Sequence, residues 1–173
     1  MNISACLVTR GDVNMQPILD SLPFDDVIVW DNSKRRNERV FGRYAAIAEA
    51  KHPLIAVQDD DCLVPWEALL AEYQEGERLC NMDAAHPIQY SSLLGWGAIF
   101  PRNDPGKSFS RAPLMDGHTF RRTCDCIFTT LMPFRRVDLG HENLPHATAP
   151  NRMYHQPGHY AERALVTARV AAT

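Results

Sequence analysis

Three short apolar runs in the first third of the chain each end in a polar cluster, and helix-like stretches separate them. The first run, residues 3–8, ends at Thr9, Arg10 and Gly11. The second, residues 27–30, ends at Asp31 and Asn32. The third, residues 54–58, runs straight into Asp59, Asp60 and Asp61. Between them, Ile18, Leu19 and Leu22 mark one face of a short helix over 15–22. Val40, Tyr44, Ile47 and Ala48 recur at helical spacing and predict an amphipathic helix over 38–51. Strand and helix alternating through short links predict an α/β fold: a Rossmann-type domain whose mostly parallel central sheet is flanked by helices. The runs are apolar throughout rather than alternating, as expected where helices cover both faces. Ligands of such sheets bind outside the carboxyl ends of the strands, so the three polar clusters should converge on a site.

A length of 173 residues fits one domain spanning 1–173. The net charge of −3 gives no general argument for nucleic acid or an anionic membrane. Two local basic clusters, Lys34-Arg35-Arg36 with Arg39 and Arg121-Arg122, read as solvated loops but leave a nucleic-acid partner open. No apolar run approaches the roughly 20 residues of a transmembrane segment. The first residues, MNISACLVTRG, lack the basic start and long apolar stretch of a signal peptide. The five cysteines are odd in number and scattered, which suits reduced thiols and predicts a cytoplasmic location.

The second half is less regular. Pro65 opens a helix, residues 96–100 read as a strand, 103–106 as a turn, 124–131 as a helix and 135–139 as a strand. Residues 140–158, rich in His, Pro, Asn and Gly, read as a loop before a C-terminal helix.

Three adjacent carboxylates at a strand end repel one another unless something compensates them. A hard divalent cation does so: Mg2+ or Mn2+ takes oxygen ligands, commonly one or two carboxylates plus substrate phosphates. In extended backbone Asp59 and Asp61 would share one side and Asp60 would point away. A solvated acidic turn is the plain alternative.

An N-terminal half ending in VQDDDC resembles the GT-A-fold glycosyltransferases, whose Asp-x-Asp (DXD) motif follows a strand in this way. The likeness is clearest over 3–64, and small exostosin-like enzymes are the nearest in character. The resemblance implies a GT-A-like domain with a nucleotide-sugar half, 1–64, and an acceptor and catalytic half, 65–173. It implies that Thr9, Arg10 and Gly11 meet the base, and that Asp31 and Asn32 lie beside uracil or ribose. Arg43 would contact the nucleotide, Asp59 the ribose or sugar, and Asp61 together with Asp59 the metal, with Asp60 also on the nucleotide-sugar side. The segment Gly95-Trp96-Gly97 would face the acceptor. Asp125, read as the start of a helix, would be the catalytic acid facing the sugar, with Asp116 as runner-up. His159 or His155 would close the metal site, ahead of His146 and His141. Arg163, sharing a helix face with His159, would meet the diphosphate.

The expected function is therefore a Mn2+- or Mg2+-dependent, hexosyltransferase-like enzyme moving a sugar from a nucleotide-sugar donor, a UDP-sugar, to a hydroxyl acceptor. A saccharide, lipid-linked sugar, small molecule, protein or modified nucleic acid would all serve as acceptor. Inverting and retaining chemistry both stay open. The chain is short for this family, so the acceptor half is minimal or is completed by a second copy in a homo-oligomer. Two alternatives stand beside this reading. One is a sugar-nucleotide nucleotidyltransferase, disfavoured because VTRGDVNM has a single glycine. The other is a non-enzymatic metal- or nucleotide-binding module.

Overall fold

The computed structural model describes residues 1–82 and 94–173. Its six-stranded sheet has the order β2-β1-β3-β6-β5-β7. The strands are β1 (Ile3–Thr9), β2 (Asp26–Asp31), β3 (Leu54–Val57), β5 (Leu79–Asn81), β6 (Ala98–Pro101) and β7 (Arg135–Val137). Strands β1, β2 and β3 pair in parallel, as do β5 and β7. Strand β6 runs antiparallel to both β3 and β5 and so against the rest. A separate ribbon pairs β4 (Cys62–Leu63) with β8 (Glu142–Asn143).

The continuous apolar runs are explained by burial on both faces. On one face Cys6, Ile55, Val57, Ala98 and Phe100 pack against Tyr44 and Phe128. On the other, Ile3, Ala56 and Ile99 pack against Trp66, Leu69 and Tyr73. Successive residues of each strand thus feed opposite layers. The first layer is built by α2 (Gly42–Ala46) and α5 (Gly117–Leu131), the second by α3 (Trp66–Glu72). Helix α6 (His159–Ala171) lies against α5 through Val166, Val170 and Ile127. Helices α1 (Gln16–Ser21) and α4 (Asp104–Phe109) complete the set of α-helices among the described residues. No helix among the described residues is long and apolar enough to cross a membrane.

Several expected elements take different bounds. The helix expected over 38–51 is a composite: a 3-10 turn at Arg39–Phe41, then α2, then a 3-10 turn at Ile47–Glu49. Its tight start follows from close packing, because a Cβ on Gly42 would stand 2.6 Å from the Trp30 ring and 2.7 Å from Val8. The turn expected at 103–106 instead begins α4, with Pro105 in the first turn, where its missing N–H costs nothing. The helix expected from residue 124 begins at Gly117. Asp116 caps it, its Oδ1 accepting from the amides of His118 at 3.0 Å and Thr119 at 2.9 Å. Asp125 therefore lies in the middle of α5, not at its start, and the capping role falls to Asp116. The expected loop over 140–158 carries β8 and 3-10 turns at Pro145–Thr148 and Met153–His155.

Candidate active site

The reversed direction of β6 sets the site. Val57 pairs with Ala98, so the residues entering β6 stand beside the residues leaving β3. The Asp59 amide accordingly donates to the Gly95 carbonyl at 2.8 Å. Around this edge opens a cavity of about 760 Å³, within the range of small-ligand sites.

Its floor is a chain of charges. The Arg43 guanidinium reaches Asp59 Oδ1 at 2.5 Å and stands 3.8 Å from Asp125 Oδ2. The Tyr44 hydroxyl donates to Asp125 Oδ1 at 2.6 Å. Consecutive residues of α2 thus hold both carboxylates. Asp125 is 2% exposed, whereas Asp59 opens 41% of its side chain to the cavity. Burial opposes the Arg43 charge, but Asp125 and Asp59 outweigh it and hold the guanidinium protonated beyond its ordinary range. Burial likewise opposes ionisation of Asp59, and Arg43 overcomes it, leaving that carboxyl below the usual carboxylate value. Burial and Asp125 push the Tyr44 phenol well upward, so it stays a donor.

The other two aspartates line the same cavity but pair with a different cation. Arg152 Nη2 lies 2.5 Å from Asp60 Oδ1 and 2.8 Å from Asp61 Oδ2. This corrects the expectation that Asp60 points away: strand β3 has already ended at Val57, and the turn that follows sends Asp60 and Asp61 together to Arg152, with Asp61 still close enough to Asp59 to feel its charge. The turn is also tied to the later segment by the Leu144 amide on the Asp61 carbonyl at 2.8 Å and by His146 Nε2 at 2.7 Å from the Asp60 carbonyl. Burial and Asp59 raise the Asp61 carboxyl above its ordinary value despite Arg152.

Of the other residues singled out from sequence, Thr9, Arg10 and Asn32 line the cavity at the ends of β1 and β2. Gly95, Trp96, His159 and Arg163 line it as well, Trp96 with the His141 ring stacked on it at 4.2 Å. Gly11, Asp31, Gly97, Asp116 and His155 do not. Asp31 is turned into its own loop, accepting from the Ser33 amide at 2.9 Å and pairing with Lys34 at 3.2 Å. Gly97 sits at φ +104 against Val64, in the core rather than the cavity. His155 is exposed on the 3-10 turn.

Sequence reasoning missed Arg152 and Tyr44. Arg152 lies in a stretch whose composition signals only a loop, and Tyr44 occupies an apolar position of its helix pattern. The signal for Arg152 was the surplus of three acids, which calls for a buried cation from somewhere in the chain.

No family model matches the chain, and no curated protein matches it by sequence. By structure it resembles glucosyl-3-phosphoglycerate synthase from Mycobacterium tuberculosis in complex with Mn2+, UDP and phosphoglyceric acid. The TM-score is 0.59 at 13% identity, over 98% of this chain and 78% of that one. The same enzyme with Mg2+ and UDP gives a TM-score of 0.58 at 13% identity, over 96% of this chain and 78% of that one. The chain has the GT-A fold.

Within this GT-A fold, Gly95 earns its place by proximity: a Cβ there would stand 2.4 Å from Asp59 Oδ2. Gly95→Ala must push Asp59 off Arg43. The atom in the way is the free end of a side chain 41% open to the cavity, so the expected cost is about 1 kcal/mol, read as a lower urea midpoint at unchanged slope.

His159 supplies a pH test. Burial, with Arg163 and Arg122 nearby, lowers its pKa to about 4. The unfolded chain takes up that proton near pH 6.5, so the folded state binds fewer protons across the window between. Stability should fall by about 3 kcal/mol as pH drops from about 6.5 to about 4. His159→Gln should flatten that part of the urea-unfolding profile, and an unchanged slope would show that His159 titrates normally.

Proposed function

We propose that the protein is a metal-dependent glycosyltransferase that moves a sugar from a UDP-sugar to a hydroxyl acceptor. The observation that carries this reading is the placement of Asp59, Asp60 and Asp61 where β3 opens into the cavity of a GT-A fold. Thr9, Arg10 and Asn32 at the ends of β1 and β2 are the candidates for base and ribose.

The residues present fit a hard divalent cation. Asp60 and Asp61 share a single guanidinium, so the pair carries more negative charge than its neighbours neutralise. Among the described residues no three His, Cys, Asp or Glu groups form a ready-made metal cluster. A Mg2+ or Mn2+ ion needs only one or two protein carboxylates, with substrate phosphates completing its shell. Asp61 is the candidate ligand, with Asp59 beside it. His159, whose depressed pKa leaves it neutral near pH 7, is the candidate to close the site. A cation here would stabilise the charge that develops on the diphosphate as it leaves.

Asp59 is held by Arg43 in one orientation, ready to accept hydrogen bonds from ribose or sugar hydroxyls. Asp125 is the candidate acid–base residue. In an inverting reaction it would take the acceptor proton; in a retaining one it would stabilise the sugar cation. Tyr44 holds one of its oxygens by a hydrogen bond and the Arg43 charge stands 3.8 Å from the other, which favours one orientation before substrate arrives.

Thermal denaturation tests the donor site. Ligand at about 100 times its Kd stabilises the native state by about 2.7 kcal/mol. UDP together with Mn2+ should raise the Tm well beyond either alone. Equal shifts with and without the metal would sink the metal-dependent reading. Release of UDP from UDP-sugars with Mn2+ present would then identify the donor.

A further inference from the structure

Arg152 holds the carboxylate oxygens that a cation would draw on. A single atom, its Nη2, bridges Asp60 Oδ1 at 2.5 Å and Asp61 Oδ2 at 2.8 Å. The Arg152 side chain is 7% exposed, and those of Asp60 and Asp61 are 10% and 16% exposed. The three groups are therefore largely out of water. One nitrogen bridging two adjacent acids does there what a bound ion would do.

The segment that carries Arg152 is fastened on both sides of it. Ahead of it, the Leu144 amide and the His146 ring meet the backbone carbonyls of Asp61 and Asp60. Next to it, the Asn151 carbonyl accepts from Arg10 Nη1 at 2.5 Å, and the Asn151 side chain donates to Asp12 Oδ2 at 3.3 Å. None of these contacts uses a carboxylate oxygen of Asp60 or Asp61. Arg152 does, and Met153, Tyr154 and Gln156, which follow it, line the cavity.

A guanidinium stays charged throughout the pH range of a folded protein, so it cannot give up such a place by losing its proton. It leaves only by moving. Mg2+ and Mn2+ compete for the same carboxylate oxygens and bring waters of their own. An ion on Asp61 would set a second cation against a guanidinium enclosed on every side, and like charges repel strongly where water is scarce.

We propose that Arg152 is a built-in place-holder for the divalent cation, one that holds Asp60 and Asp61 together and withdraws from Asp61 when the ion binds. It rests on the metal-dependent reading above and names what the ion must displace. Each charge is used once, since the ion takes over the carboxylate that Arg152 gives up. The guanidinium regains water as its segment lifts. The contact is thus a latch: the ion that completes the donor site also loosens residues 150–156 beside it.

Two measurements on the full chain test this. Calorimetric titration of Mn2+ without nucleotide compares the unaltered protein with Arg152→Met. The variant should bind the ion about tenfold more tightly or better, because no cation has to be evicted. A residue that only orders the Asp60–Asp61 turn would give the opposite sign. Removing any nearby positive charge would also tighten binding, so hydrogen exchange of the unaltered protein decides between eviction and proximity. The amides of Arg152, His155 and Gln156 close short turns. Saturating Mn2+ should speed their exchange. That measurement also carries the test if Arg152→Met does not fold. Exchange that is unchanged or slowed by Mn2+ would overturn the place-holder, as would a folded Arg152→Met that binds Mn2+ no more tightly than the unaltered protein. Either result would mean that Arg152 stays on Asp61 while the ion sits elsewhere. Failure of Mn2+ to bind both forms, with or without UDP, would instead overturn the metal-dependent reading itself.

Discussion

Asp61→Asn should abolish divalent-dependent turnover and at the same time make the metal-free protein more stable. A bound cation contributes several kcal/mol of transition-state charge stabilisation, so losing about 4 kcal/mol predicts a rate about 10³-fold lower. The stability change runs the other way. Asp61 lies beside Asp60 and shares Arg152 with it, and burial together with Asp59 raises its carboxyl above the unfolded value. A group raised in this way favours the fold fully only below about pH 3.9, and that contribution is lost as pH rises through the folded value. At neutral pH the charged Asp61 is therefore a net burden, and a neutral amide of the same shape relieves it. Activity against Mn2+ concentration and urea unfolding of the metal-free protein check the two halves. An unaffected rate would remove Asp61 from the metal site. A less stable variant would mean that the Arg152 contact outweighs the repulsion.

Arg43→Met should be the most destabilising single change in the cavity. The guanidinium is the shared counter-ion of Asp59 and the almost fully buried Asp125. Removing one partner of a buried pair while leaving the other costs about 3–5 kcal/mol. The pH dependence should also change sign. In the native protein the depressed Asp59 carboxyl contributes stability above about pH 4, lost as pH falls through its folded value. Without Arg43, burial is left to disfavour the charged form of Asp59, so the variant should gain stability on acidification. Arg43→Met combined with Asp125→Asn should recover a large part of the loss. Unfolding of the single and double variants between pH 4 and 8 reads this directly. Additive effects would show that the 3.8 Å approach of Arg43 to Asp125 carries no coupling.

These two residues also mark how far the fold and site were legible from sequence. Strands β1 and β3 could be read because burial on both faces leaves unbroken apolar runs, and edge strand β2 because its run stays apolar although Val27 is exposed; their polar ends pointed to the cavity. Strands β4, β5 and β8 span two or three residues each, too few to display any period. The start of α5 was hidden because Asp116-Gly117 reads as a turn until the cap is seen. Arg43 was noticed through family likeness, but its bond to Asp125 joins α2 to α5, and no local pattern encodes that. Arg152 reaches Asp60 across 92 positions of sequence. Matching charges over such a span needs the topology first.

The backward course of β6 also bears on how the protein comes into being. Residues 1–64 carry the aspartates and Arg43, but the wall that meets Asp59 is Gly95, delivered by a strand that pairs between β3 and β5. Arg152 and α6 come later still. During synthesis the nascent chain thus carries three clustered carboxylates long before their final counter-ion emerges, and closing these distant contacts is the slow, entropically expensive part of folding. Ligand-binding competence should therefore be among the last properties a refolding chain acquires, lagging behind the far-ultraviolet signal of its helices and strands.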